Sequence, residues 1–129
     1  MLKSGILNPH ILDLVARIRH TNTLVIADWA FPYYPGIETV DISLTLGIPT
    51  VLEVLEALVP VFRIGRIWQA GEFVLHNSPE VVARFARAIG DLPLTREAHQ
   101  EFKQRVPQAV GLIRTGDATL YSNVIVESA

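Results

Sequence analysis

Apolar positions along the chain change their period several times, and each change marks a predicted element. From Asn8-Pro9 onward, Ile11, Leu12, Val15 and Ile18 recur at helical spacing, with Arg17 and Arg19 off that face. Asparagine satisfies the free amides of a helix start and proline tolerates the first helical position, so a helix is predicted from here to near His20. Leu24 to Ala27 is a continuous apolar run, the pattern of a strand buried on both faces. Asp28 stands where that strand stops. Residues 29–36 then hold two prolines, a glycine and four aromatic side chains, which predicts a loop with an apolar lining, suited to walling a pocket beside Asp28.

Further on, Thr39 to Ser43 reads as a short strand. Pro49 looks like the first turn of a second helix, with Val51, Leu52, Leu55 and Leu58 inward and Glu53 and Glu56 outward. Val61 to Gln69 alternates as a strand interrupted by Gly65. Ser78-Pro79-Glu80 opens a helix that Val81, Val82, Phe85 and Ile89 carry to Gly90. Leu92 to Leu94 forms a short strand broken by Pro93, and Thr95 caps a helix running to about Val106, on which His99 and Lys103 stand side by side. Ala109 to Ile113 is a strand, Arg114 to Asp117 a turn, and Asn123 to Val126 a last strand. The alternation predicts an α/β fold: a single layered domain over residues 1–129, Rossmann-like, with a mainly parallel central sheet flanked by helices. Ligands bind at the carboxyl ends of strands in such sheets, which gives Asp28 a favoured address. His20 enters from the other end of its strand, so the two share a pocket only if the fold or a neighbouring subunit brings them together.

Composition narrows the function. Half of the 129 residues are hydrophobic and 19% are charged, which argues against disorder and for apolar surface covered by partner subunits. A net charge of −2 offers no basic footprint for nucleic acid or an anionic membrane. There is no cysteine, no signal-peptide core and no apolar run of the ~18 residues a membrane span needs, so a soluble cytoplasmic protein is expected. No glycine pattern marks a dinucleotide or phosphate loop, and the glycine-flanked serine of hydrolases is missing. Among the histidines, His10 and His76 lie next to helix starts and read as structural. None of the four shows zinc-helix spacing, so neither cofactor nor metal is expected. The side chains left for acid–base work are His20, Asp28, His99, Lys103, Tyr121 and Asn123. Each also has a plain reading: a helix-end charge for His20, a turn cap for Asp28, a solvated face for His99 and Lys103, a core-edge ring for Tyr121.

A resemblance goes further. Gly5-Ile-Leu-Asn8, His20-Thr-Asn-Thr-Leu24, Asp28 with Phe31-Pro32, Val40-Asp-Ile-Ser-Leu-Thr-Leu-Gly-Ile-Pro49, Ala98-His-Gln-Glu-Phe-Lys103 and Ile113-Arg-Thr-Gly-Asp-Ala-Thr-Leu-Tyr-Ser-Asn123 cover nearly the whole chain. In this order they resemble the ribose pyranase and fucose mutarotase family. The resemblance implies a cofactor- and metal-free enzyme that interconverts cyclic forms of a free sugar. It implies His20 as proton donor, Asp28, His99, Tyr121, Ser122 and Asn123 as sugar-binding residues, and Lys103 as a supporting one. It also implies a ring-shaped homodecamer in which the C-terminal segment of a neighbour completes each pocket. The His99-to-Lys103 and Val40-to-Thr45 blocks look more like the ribose type than the fucose type. Trp29, Tyr33 and Tyr34 make the loop after Asp28 bulkier than in that type, and the segment from Ala88 to Thr95 is shortened.

The residue types suit that chemistry. Opening a pyranose delivers one proton to the ring oxygen and removes another from the anomeric hydroxyl, and an imidazole does either near neutrality. Two other readings keep the same fold: a mutarotase acting on fucose, and a sugar-binding accessory protein of an uptake system without catalysis. Exchange between ring forms separates the enzyme from the binder.

Overall fold

A computed structural model describes residues 1–129. Six strands form one sheet: β1 (Thr23–Ala27), β2 (Glu38–Asp41), β3 (Ile64–Ala70), β4 (Leu94–Glu97), β5 (Gly111–Arg114) and β6 (Val124–Ser128), in the order β2-β5-β1-β6-β3-β4. The pairs β2/β5, β5/β1 and β3/β4 are parallel, as the alternation of elements requires. Strand β6 runs antiparallel between β1 and β3. Residues 115–123, which lead into it, are too short for the crossover of a dozen or more residues that a parallel neighbour needs, so the chain turns back at the same end of the sheet.

Alternate side chains divide the core between the two faces. Leu24 and Ile26 of β1 join Ile113, Val124 and Val126 under α1 (Pro9–Ala16), α2 (Val51–Leu58), α3 (Glu72–His76) and α4 (Pro79–Ile89). Val25 and Ala27 join Leu112, Ile125 and Trp68 under α5 (His99–Arg105), whose Phe102 is fully buried. A strand covered on both faces has no polar side, which is why β1 reads as an unbroken apolar run. No helix is long and apolar enough to cross a membrane.

Local chemistry places most boundaries. Asn8 accepts from the amides of His10 and Ile11 and starts α1, and Ser78 starts α4 in the same way through Val81. Several expectations need correction. Helix α1 ends at Ala16, not near His20, and residues 17–22 turn instead, with the Asn22 side chain accepting from the Arg19 amide. Thr50, not Pro49, opens α2 through a reciprocal capping box with Glu53. Thr95 is not a cap: Leu94 to Glu97 pair with Ile67 to Ala70, so the strand begins after Pro93 and the helix starts only at His99. Strand β5 begins at Gly111 because a 3-10 turn, Val106–Gln108, precedes it, and the short helix α3 has no counterpart in the expected elements.

Candidate active site

The carboxyl end of β1 is held by three segments. Both the amide and the hydroxyl of Thr115 donate to the Ala27 carbonyl, at 2.9 and 2.8 Å. The next residue, Asp28, is bound reciprocally by Asn123. Its amide donates to Asn123 Oδ1 at 2.6 Å, and Asn123 Nδ2 donates to Asp28 Oδ2 at 3.0 Å. The Ala30 amide donates to the other carboxylate oxygen at 3.0 Å. Burial pushes the Asp28 carboxyl above its ordinary value, against the opposing pull of these donors. Asn123 is 3% exposed, and after its two bonds to Asp28 a single N–H is left for a ligand. It is a positioning residue first.

Gly116 makes the adjoining turn possible, since a Cβ there would collide with the carbonyl oxygens of Thr45 and Ile48. Asp117 then ties the turn to the core: Oδ2 accepts from the Val51 amide at the start of α2 (2.8 Å) and Oδ1 from the Thr119 amide (2.8 Å). The aromatic loop is clamped from β5. The Arg114 guanidinium donates to the carbonyls of Asp28, Trp29, Phe31 and Pro32, most closely to Phe31 at 2.6 Å. Phe31 packs inward, stacked on Tyr34 and edge-on to His99 and Phe102. Trp29 is 56% exposed at the rim.

Helices α3 and α5 supply the opposite wall. No side chain of α5 caps its own start, and the Glu72 carboxylate of α3 does so instead, accepting from the His99 amide at 2.9 and 3.2 Å. His99 is half-buried, with Nδ1 enclosed and unpartnered. Burial, with a smaller push from Lys103, holds its imidazole below the ordinary range, so the ring is a neutral hydrogen-bonding group at neutral pH. Tyr121 meets His99 edge-on at 5.1 Å and His76 at 5.2 Å. It adopts φ 55°, a left-handed conformation that side chains rarely take and that recurs at functional sites.

Together these residues form an open cavity of about 350 Å³ lined by Asp28, Trp29, Ala30, Phe31, Pro32, His76, His99, Ala118, Leu120, Tyr121 and Asn123. Its volume is near the lower end for ligand sites and suits a small molecule. A second groove of about 250 Å³, near Ile6 and Ile11, holds Asn8 and Glu53 as polar residues, and both are used as helix caps. It carries no free chemistry.

Four of the expected residues, Asp28, His99, Tyr121 and Asn123, therefore come together within one chain. Within the chain, Tyr121 and Asn123 of the C-terminal segment line the same cavity as Asp28 and His99. Ser122 is fully buried, with Oγ unpartnered, and does not line the cavity. Lys103 is absent from the lining and reaches the site through its effect on His99. His20 is far from the rest, exposed in the turn before β1, where Thr21 takes φ 66°. His76, expected to be structural, lines the cavity. The sequence does not mark Glu72, Arg114 or Asp117 as site residues, because their partners lie far away in the chain. The one signal for them was a charge at the end of an apolar strand or the start of a helix. No three histidine, aspartate or glutamate side chains converge as metal ligands would.

Comparison with known proteins agrees with this fold. The model of the RbsD / FucU transport protein family matches residues 1–129. The chain is 42% identical to the D-ribose pyranase of Chromobacterium violaceum, over 99% of this chain and 97% of that one. Among solved structures, Bacillus subtilis RbsD complexed with D-ribose superposes with a TM-score of 0.92 at 30% identity, covering 100% of this chain and 98% of that one. The fucose mutarotase of Streptococcus pneumoniae, solved with L-fucose, shares the fold at a TM-score of 0.83 and 17% identity, covering 100% and 98% of the two chains. The chain belongs to the RbsD / FucU family.

Proposed function

We propose that this chain is a cytoplasmic, single-domain, cofactor-independent isomerase that interconverts the ring forms of a free monosaccharide, with D-ribose as its substrate. The observation that carries the reading is the cavity at the end of β1, where Asp28, His99, Tyr121 and Asn123 converge in a chain similar along its whole length to a ribose-bound relative. Ribose is favoured over fucose because the relatives at 33 to 42% identity are D-ribose pyranases, whereas the fucose mutarotase is similar at 17%.

The residues divide the work. The sugar hydroxyls meet the remaining lone pairs of Asp28, the last free N–H of Asn123 and the neutral imidazole of His99. Tyr121 offers a hydroxyl and a ring face. Ring opening transfers a proton to the ring oxygen as the C1–O5 bond breaks, and removes one from the O1 hydroxyl as the C1=O1 bond forms. Closure through the O4 hydroxyl gives the furanose. His20 is the proton donor, and it acts in the cavity of a neighbouring copy within a homodecamer. Its exposure, its place at the far end of β1, and the exposed apolar side chains Trp29, Leu44, Leu46 and Leu120 support a shared site.

The test is saturation transfer between the β-pyranose and β-furanose anomeric resonances of ribose, with L-fucose anomers alongside. Exchange accelerated by the protein for ribose is expected. Binding of either sugar with no acceleration would leave a sugar-binding accessory protein. Light scattering should give a mass far above 14.3 kDa, and mixing His20→Asn chains with Asp28→Asn chains under conditions of subunit exchange should restore part of the activity that each lacks alone.

A further inference from the structure

Ring opening moves two protons on two different oxygens, O1 and O5, and a single donor leaves one of these movements without a group. Most polar groups of the cavity wall are already committed. Both oxygens of Asp28 accept from protein donors, and Asn123 uses its carbonyl and one N–H on Asp28. His99 is held neutral by burial. His76 differs from them in its exposure: it lines the same cavity, it is open to solvent, and neither of its ring nitrogens, like those of the enclosed His99, is engaged by a protein partner.

The position of His76 is built rather than incidental. Helix α3 is fixed by the fully buried Phe73, by Glu72 where it accepts from the His99 amide, and by Asn77, whose Nδ2 donates at 2.8 Å to both the Phe73 and the Leu120 carbonyls. The last of these bonds ties α3 to the segment that carries Tyr121, and the His76 and Tyr121 rings pack at 5.2 Å with an interplanar angle of 32°. We propose that His76 is the second acid–base residue of the reaction. This rests on the isomerase reading above.

In the opening step His76 takes the O1 proton. The O1–H electron pair becomes the second C1–O1 bond, the C1–O5 pair stays on O5, and O5 receives the proton of the donor, His20 of a neighbouring copy. On closure the O4 proton passes to His20 and His76 returns its proton to O1, so both residues end as they began. An imidazole changes charge between pH 5 and 8, which suits a group that alternates roles within each turnover. Asp28, His99 and Tyr121 share the cavity with it, and the Lys103 charge acts on His99.

The experiment compares the intact wild type with His76→Gln, which keeps a hydrogen-bonding side chain without titrating, and His76→Ala. Expected are a fall in kcat for ribose exchange of about 10²-fold or more, a KM close to wild type, loss of one limb of the pH profile, and partial recovery of His76→Ala by added imidazole. Wild-type kcat and pH profile in His76→Gln would overturn the proposal. So would a loss that follows sugar affinity and does not respond to imidazole. If the wild type itself fails to accelerate exchange, the isomerase reading falls and this assignment with it. If the wild type exchanges ribose and His76→Gln does so equally well, only the assignment of His76 falls.

Discussion

The two ends of β1 are built on opposite principles. At the carboxyl end, Asp28 is held by the Asn123 side chain and the Ala30 amide, while Arg114 fastens the following loop by its carbonyls. At the amino end, the backbone is secured as the Thr21 amide donates to Ser128 and the Ser128 amide to Asn22, yet the His20 ring stands exposed with no polar partner. One end is held by side-chain hydrogen bonds, and the other presents a side chain outward from a backbone-bonded turn. Asp28 is thus over-determined by its neighbours, whereas His20, which on the reading proposed above gives its proton to a sugar held by another copy, is anchored through its backbone alone. Both ends nevertheless place a non-glycine residue at positive φ, Thr21 at 66° and Tyr121 at 55°, so each holds some strain where the side chain is aimed.

Removing the outward group should produce the largest effect. His20→Asn is expected to slow ribose ring exchange by about 10²- to 10⁴-fold with little change in sugar binding, as measured by saturation transfer at equal occupancy. Unchanged exchange would reduce the amino end of β1 to a structural turn. The receptor end should respond in the opposite manner. Asn123→Ala removes a donor from Asp28 and leaves the Asp28 amide without an acceptor, so ribose affinity should weaken by roughly 1 to 3 kcal/mol in a titration while the exchange rate at saturation falls less.

A smaller effect is expected at the link between α3 and α5. Glu72→Ala deletes the carboxylate that caps α5, which should cost about 1 kcal/mol in chemical denaturation and weaken ribose binding through the displaced His99. The smallest prediction concerns pH. Burial depresses the His99 imidazole below 6.5, so between the two values the unfolded chain binds a proton that the folded chain does not. The stability of neutral His99 is therefore complete above 6.5 and is lost as pH falls through the depressed value. In His99→Gln the decline in stability from neutral to mildly acid pH should be shallower, and an identical slope would remove His99 from the acid response.

Much of this was legible in the chain, for reasons that can be named. Asn8-Pro9 and Ser78-Pro79 announce helices because a cap acts on amides two or three residues away. Asp28 could be placed at a binding site because a carboxylate after a doubly buried strand has one address in an α/β sheet. Thr95 misled because a threonine before a polar helical segment satisfies the cap pattern equally well in a strand, and the pairing with β3 that decides the matter is non-local. Helix α5 took its real cap from Glu72, across the fold. His76 reads as structural in the sequence for a related reason: adjacency to the next helix start is visible there, while its approach to Tyr121 exists only after folding.

The position of β6 has a consequence for the birth of the molecule. It is synthesised after every other strand, yet it lies inside the sheet, with β1 on one side and β3 on the other. Without it, the strand order leaves β2, β5 and β1 on one side and β3 with β4 on the other, each with an open edge of the kind that invites pairing with other chains. The residue immediately before β6 is Asn123, the partner of Asp28. Closing the sheet and completing the cavity are therefore one event, and a nascent chain that stops short of this strand has neither.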